Sequence, residues 1–299
     1  MSKIEWTDIT SNPIHLIRED GSNGGHWCRK VSAGCSRCYA EEQNQSNYFK
    51  FASKLPYTGK VPQNLIFDEK VMKKLIDMRS PKKIFLCSMT DLFGEWVPDE
   101  WIDKAFAYMA IAKQHTFQIL TKRPERMKEY ITDPHTPFRV ARQIDCVNVV
   151  LTSESIQLPI EWPLKNCWKG VSVENQKAAN DRIPLLLATP ASVRFLSCEP
   201  LLESIDIYDE LRSGINWAII GGESGSGARP CDVNWIRSIV KQCQLTNVSV
   251  FVKQLGSKPI NSHNGLMRSP QLWLNLKDRK GGNIDEFPED LRIREFAVN

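Results

Sequence analysis

The sequence predicts an α/β chain whose parallel sheet curls into a partial or closed (β/α) barrel of the TIM-barrel kind. Three observations carry that prediction. Short apolar runs alternate with stretches of helical periodicity from about residue 68 to residue 254, the pattern of strand–helix units in a parallel sheet. About seven such runs can be counted, enough to begin closing a barrel. Nearly every run also ends in polar, reactive residues. In parallel barrels the strand C-termini share one face, and ligands bind there.

Taken in order, Ile4–Thr10 reads as a short first strand stopped by Asn12-Pro13. Residues 15–27 are polar and glycine-rich and read as a loop, and Tyr39 to about Lys54 reads as a helix. Asp68–Arg79 repeats apolar positions at helical spacing. A buried strand is expected at Ile84–Ser88, a helix at 98–113 opened by Pro98-Asp99-Glu100, a strand at Thr116–Leu120 and a helix at 124–131. Residues 132–165 are proline-punctuated (Pro134, Pro137, Pro159, Pro163) around an expected strand at Val147–Leu151. Strands then recur at Trp168–Asn175, Val193–Pro200, Trp217–Ile220 and Val248–Val252, with helices at 176–188 and 232–246. Residues 1–256 form the expected barrel, and 257–299, where the rhythm is lost, a C-terminal extension.

The composition is that of a globular protein, with 41% hydrophobic and 25% charged residues. A net charge of +4 permits a polyanionic partner without demanding one. No apolar run approaches membrane-spanning length, and the N-terminus lacks the apolar core of a signal peptide. The nine cysteines form no disulfide framework. Together these features lead us to expect a cytoplasmic protein with no membrane partner.

The chain's most distinctive stretch is Cys28-Arg-Lys-Val-Ser-Ala-Gly-Cys35-Ser-Arg-Cys38, three cysteines within eleven residues. A Cys-x-x-Cys pair can direct two sulfurs at one centre from a single turn. Three readings follow: an iron–sulfur cluster with one iron open to a small molecule, a zinc site completed by His26 or His15, or plain reduced thiols. The strand ends supply further candidates: Ser88, Thr90 and Asp91; Thr121, Lys122 and Arg123; Ser172 and Glu174; Ser197 and Glu199; Glu223; Lys253 and Gln254. Carboxylates at such positions serve either a ligand or a neighbouring Lys or Arg.

These residues resemble a known group. A three-cysteine loop after the first strand of a parallel barrel resembles the radical S-adenosylmethionine (SAM) superfamily. Lys3–Thr7, Asn12-Pro13, Gly34–Glu41, Ser88–Phe93, Leu120–Arg126, Gly170–Asn175 and Gly221–Gly225 together resemble a phage-associated family with radical-SAM-like features. The resemblance implies a [4Fe-4S] cluster on Cys28, Cys35 and Cys38 that cleaves SAM with an electron from an external donor. A hydrogen atom would then be abstracted from substrate, the cofactor carrying the chemistry. SAM would be held by Asp91 first and Glu223 second, with Ser88, Thr90, Ser172, Glu174, Ser197 and Glu199 around it. Lys122, Arg123 and Lys253 would meet the substrate.

Four features depart from that pattern, among them Arg37 where an aromatic usually precedes the third cysteine and Gly221-Gly222-Glu223 at the sixth strand instead of the second. Six residues separate the first two cysteines where the superfamily has three, and residues 16–27 are an insertion before Cys28. The phage association that the resemblance implies makes DNA or RNA the expected partner, with basic groups predicted near the strand ends for phosphate contacts, and Trp27, Trp96 and Trp168 serving either as stacking surfaces or as packing. The reading is therefore a radical-SAM enzyme acting on a nucleic-acid base or nucleotide. Its alternatives are the same chemistry on a small metabolite or peptide, and a zinc-stabilised nucleic-acid-binding protein without radical chemistry.

Overall fold

The structure is a computed structural model that describes residues 4–46, 52–151, 160–262 and 273–297. Lys3 and Pro159, both named above, lie outside these residues. The elements run β1 (Ile9–Ser11), β2 (Ile14–Leu16), α1 (Tyr39–Gln45), β3 (Leu65–Phe67), α2 (Glu69–Asp77), β4 (Lys83–Leu86), α3 (Asp99–Ile111), β5 (Thr116–Thr121), α4 (Pro124–Thr132) and α5 (Thr136–Leu151). They continue as β6 (Cys167–Ser172), α6 (Gln176–Leu187), β7 (Arg194–Cys198), α7 (Tyr208–Arg212), β8 (Trp217–Gly221), β9 (Cys231–Asp232), α8 (Val233–Thr246), β10 (Ser249–Gln254) and β11 (Pro259–Ile260). The fold is α/β, with a seven-stranded sheet in the order β1-β4-β5-β6-β7-β8-β10. Among the described residues no helix is long and apolar enough to cross a membrane. The chain divides into two compact units, Met1–Lys169 with Thr189–Ser192, and Gly170–Ala188 with Val193–Asn299.

In the first unit β1, β4 and β5 pair in parallel, with Ile9 opposite Ile84 and Ile84 opposite Phe117. Alternation puts Ile84, Leu86, Phe117 and Ile119 on one fully buried face. On the other face Trp6 packs on Phe85 with ring centroids 4.8 Å apart. The helix predicted from 68 begins as its sequence dictates. Asp68 caps α2 by accepting from Lys70 N at 2.9 Å, and Met72 and Leu75 face inward.

Three expectations in this unit are corrected. Residues 15–27 are not all loop: β2 pairs antiparallel with β3, and an isolated bridge joins Ile17 to Asn23. Val147–Leu151 is not a strand but the end of α5. Val140, Ala141, Ile144 and Val147 are buried at helical spacing, and Pro137 falls in the first turn, where its missing N–H costs nothing. Burial of that stripe outweighs the β-branched composition. The helix expected to run from Tyr39 to Lys54 is shorter: α1 stops at Gln45, and 52–54 are not helical.

In the second unit β7, β8 and β10 pair in parallel, Phe195 opposite Trp217 and Trp217 opposite Ser249, with an irregularity between Val252 and Gln254. Asn175 caps α6 by accepting from Ala178 N at 2.8 Å. Gly222 is confined: a β-carbon there would strike the Leu255 carbonyl. Residues beyond 273 are built into this unit. Val252 N donates to Ile293 O at 2.8 Å, Glu295 N to Val250 O at 2.9 Å, and Trp217 Nε1 to Glu295 O at 2.8 Å. Arg294 lies 5.5 Å from the centre of the Phe251 ring.

Candidate functional site

The turn after β4 organises the carboxyl end of the first unit. Cys87 leaves the strand in the left-handed region, at φ +60°, and the chain folds back so that Thr90 N donates to Cys87 O at 3.2 Å. Four neighbours hold this turn. Asn12 Oδ1 accepts from Met89 N at 3.0 Å, and the Asn12 amide and Ser88 hydroxyl bond at 3.1 Å. Tyr39 donates to Ser88 O at 2.6 Å, and Tyr57 to Met89 O at 2.8 Å. Thr90 Oγ1 donates to Trp27 O at 2.7 Å, so the cysteine loop is tied down at its start.

Asp91 closes the turn. Its Oδ1 accepts from Phe93 N at 3.0 Å and Thr121 Oγ1 at 2.7 Å; its Oδ2 accepts from Lys122 N at 3.0 Å and Arg123 Nη1 at 3.1 Å. Arg123 is equally committed. It bonds Glu95 at 3.1 Å and Arg29 O at 3.0 Å, with its guanidinium 4.5 Å from the centre of the Trp96 ring. Four donors fill a carboxylate, and Asp91 therefore binds its own chain.

The cysteine loop corrects the central expectation. Among the described residues no group of three or more His, Cys, Asp or Glu is placed to hold a metal ion. Cys28 and Cys38 instead pack as small hydrophobes against Ala40, Tyr57 and Met89, and Cys35 Sγ lies 3.8 Å from the Ser32 hydroxyl. Burial, reinforced by the Asp91 charge, pushes the Cys28 thiol well above its ordinary value, and burial also pushes Cys38 up. Protonated thiols are poor metal ligands and poor nucleophiles.

The radical-SAM identity, the [4Fe-4S] cluster, SAM as cofactor and the SAM-cleaving enzyme on any substrate are therefore withdrawn. The radical-SAM subtype of the barrel goes with them. The zinc alternative fails on the same finding. Both candidate histidines serve the fold: His15 Nδ1 is 2.8 Å from Leu16 O and its Nε2 3.2 Å from Asp68, and His26 Nδ1 is 3.0 Å from Ile14 O.

His26 carries a pH prediction. Burial, and after it the neighbouring His15, lowers its pKa to about 4 against the opposing Ile14 hydrogen bond. Its folded value lies below its unfolded value near 6.5, so the unfolded chain binds the extra proton between those pH values. The stabilisation is complete above about pH 6.5 and is lost as pH falls toward 4, by about 3 kcal/mol in all. Melting temperatures measured from pH 7 to 4.5 should fall more steeply in the native protein than in His26→Gln. Equal slopes would show that His26 does not carry the effect.

In the second unit the predicted carboxylates are all neutralised. Glu174 Oε2 pairs with Arg182 at 2.8 Å, Glu199 with Lys253 at 2.6 Å, and Glu223 Oε1 with Arg229 Nη2 at 2.6 Å. Ser172 and Ser197 are buried, and Gln254 donates to Gly222 O at 2.7 Å. The structure thus gathers Ser88, Thr90, Asp91, Lys122 and Arg123 in one unit and locks Glu174, Glu199, Glu223 and Lys253 into ion pairs in the other. Trp27, Trp96 and Trp168 are core residues and not stacking surfaces.

Lys122 differs from the other predicted cations. Its side chain has no hydrogen bond or ion pair among the described residues, and its charge is felt at the Cys38 thiol. In the loop that carries Cys38, Arg29 and Arg37 are exposed, and Arg29 lies 5.6 Å from the centre of the Trp27 ring. Sequence reasoning passed over Tyr39 and Arg29. Their signal was three basic residues and no acid between Cys28 and Tyr39.

Residues 1–286 match the family described as "Protein of unknown function (DUF5131)", and the chain belongs to that family. A search of curated proteins and a search of solved structures each find no match.

Proposed function

We propose, for this member of a family of unknown function, that the chain binds phosphate-bearing ligands, nucleic acid above all. The binding surface is made by the cysteine loop, its neighbour around Gly59 and Lys122, at the carboxyl ends of β1, β4 and β5. Ligands of open α/β sheets bind outside these strand ends. The observation that carries the reading is the contrast between Lys122 and the other cations. Arg123, Arg182, Arg229 and Lys253 are each engaged by a carboxylate, whereas among the described residues the Lys122 ammonium is not, and its charge reaches Cys38 of the loop that carries exposed Arg29 and Arg37. An uncommitted ammonium amid further exposed cations is what phosphate contacts need.

An external electron donor has no part in this reading, since its purpose was to reduce a cluster. Nine free cysteines support a reducing, cytoplasmic setting. Binding of a labelled oligonucleotide, followed by anisotropy across a salt series, tests the proposal. Affinity should fall steeply with salt, and Lys122→Gln should weaken binding while flattening the log–log slope by about 0.7–0.9, the increment for one phosphate no longer neutralised. Binding that ignores salt, or a Lys122→Gln slope equal to the native one, would refute it.

A further inference from the structure

The geometry points to a single-stranded nucleic acid as the ligand, with the ring of Tyr39 as the platform on which one of its bases stacks; this rests on the phosphate-binding reading above. Two tyrosines hang from consecutive carbonyls of the turn after β4. Tyr57 donates to Met89 O, and its ring fills the core at 2% exposure. Tyr39 donates to Ser88 O at 2.6 Å, yet the residue is 46% exposed. The hydroxyl bond fixes the tip of the Tyr39 side chain while nearly half of the residue's surface stays open to solvent. A ring held in this way loses little freedom when a base stacks on it, which is how preorganisation raises affinity.

The surrounding charge suits the same ligand. Tyr39 directly follows Arg37 and Cys38, whose thiol senses the Lys122 charge, and Arg29 lies in the same loop. Glu41, the nearest acid along α1, is already neutralised by Lys30 at 2.5 Å. A flat ring on the same loop as exposed cations is the arrangement that single-strand binders use. Within a duplex both faces of each base are occupied by stacked neighbours, so an exposed ring adds nothing to duplex binding. The ring therefore selects unpaired strands, and the cations alone do not.

The test uses the full chain and four probes: a labelled single-stranded 12-mer, the same sequence as a duplex, heparin and inorganic phosphate. The single strand should bind about tenfold or more tighter than the duplex, and Tyr39→Ala should weaken it by about 5- to 150-fold, as expected when one base loses its stacking partner. Tyr39→Phe should retain most of the affinity, since the ring remains. Tyr39→Leu keeps apolar volume without a π face and should bind as weakly as alanine; its unchanged melting temperature would separate lost stacking from lost folding. If strand and duplex bind alike, or if Tyr39→Leu binds single strands as the native protein does, the inference is overturned while phosphate binding stands. If no probe binds, the phosphate-binding reading falls and takes the inference with it.

Discussion

Replacing Asp91 by alanine should destabilise the protein by about 3–5 kcal/mol, the range for removing one partner of a buried ion pair. Asp91 is 6% exposed, and its carboxylate holds four donors, among them the buried Arg123. Without it the carboxylate left to Arg123 among the described residues is Glu95, whose side chain is 57% exposed, and the amides of Phe93 and Lys122 lose their acceptor. Asp91→Asn should also destabilise, by less, because an amide presents one accepting oxygen where the carboxylate presents two. Urea denaturation measures both. A native midpoint for Asp91→Asn would return Asp91 to the group of side chains available to a ligand.

The second large effect is expected at Arg182. Glu174 is wholly buried, and Arg182 Nη1 bridges its carboxylate at 2.8 Å to the Ser172 carbonyl at 2.7 Å. Arg182→Met should cost about 3–5 kcal/mol by stranding the carboxylate. The double variant Glu174→Gln with Arg182→Met should recover much of that loss, since no unpaired charge remains to be buried. A double variant as unstable as the two single changes summed would show that these side chains act independently.

The sheet was legible in the sequence because its strands carry their own signals. Lys83–Leu86, Thr116–Thr121 and Trp217–Gly221 are apolar, short and bounded by turn residues, and the helices between them repeat at helical spacing. The hairpin of β2 with β3 was illegible, because its strands are three residues long and some 50 positions apart. The helix α5 was obscured by the prolines around it and a valine-rich end.

At the candidate site the sequence singled out polar residues at the strand ends and missed that their charges are already paired. Asp91 and Arg123 are 32 positions apart, and Glu199 and Lys253 are 54 apart. Only the folded chain reveals that each carboxylate already has its cation. The cysteines misled for a related reason. Spacing fixes how close three sulfurs lie along the chain, not where they point, and here two of them turn toward Tyr57 and Met89.

The final segment of the second unit bears on how a partner can approach. β10 is hydrogen-bonded to β8 on one side and to Ile293 and Glu295 on the other. Val250 and Val252 already use their outward main-chain groups, which blocks strand addition by a foreign peptide at these positions. Whatever docks against that flank must be recognised through side chains, and specificity on it is written in residues such as Arg294 and Phe296, not in backbone.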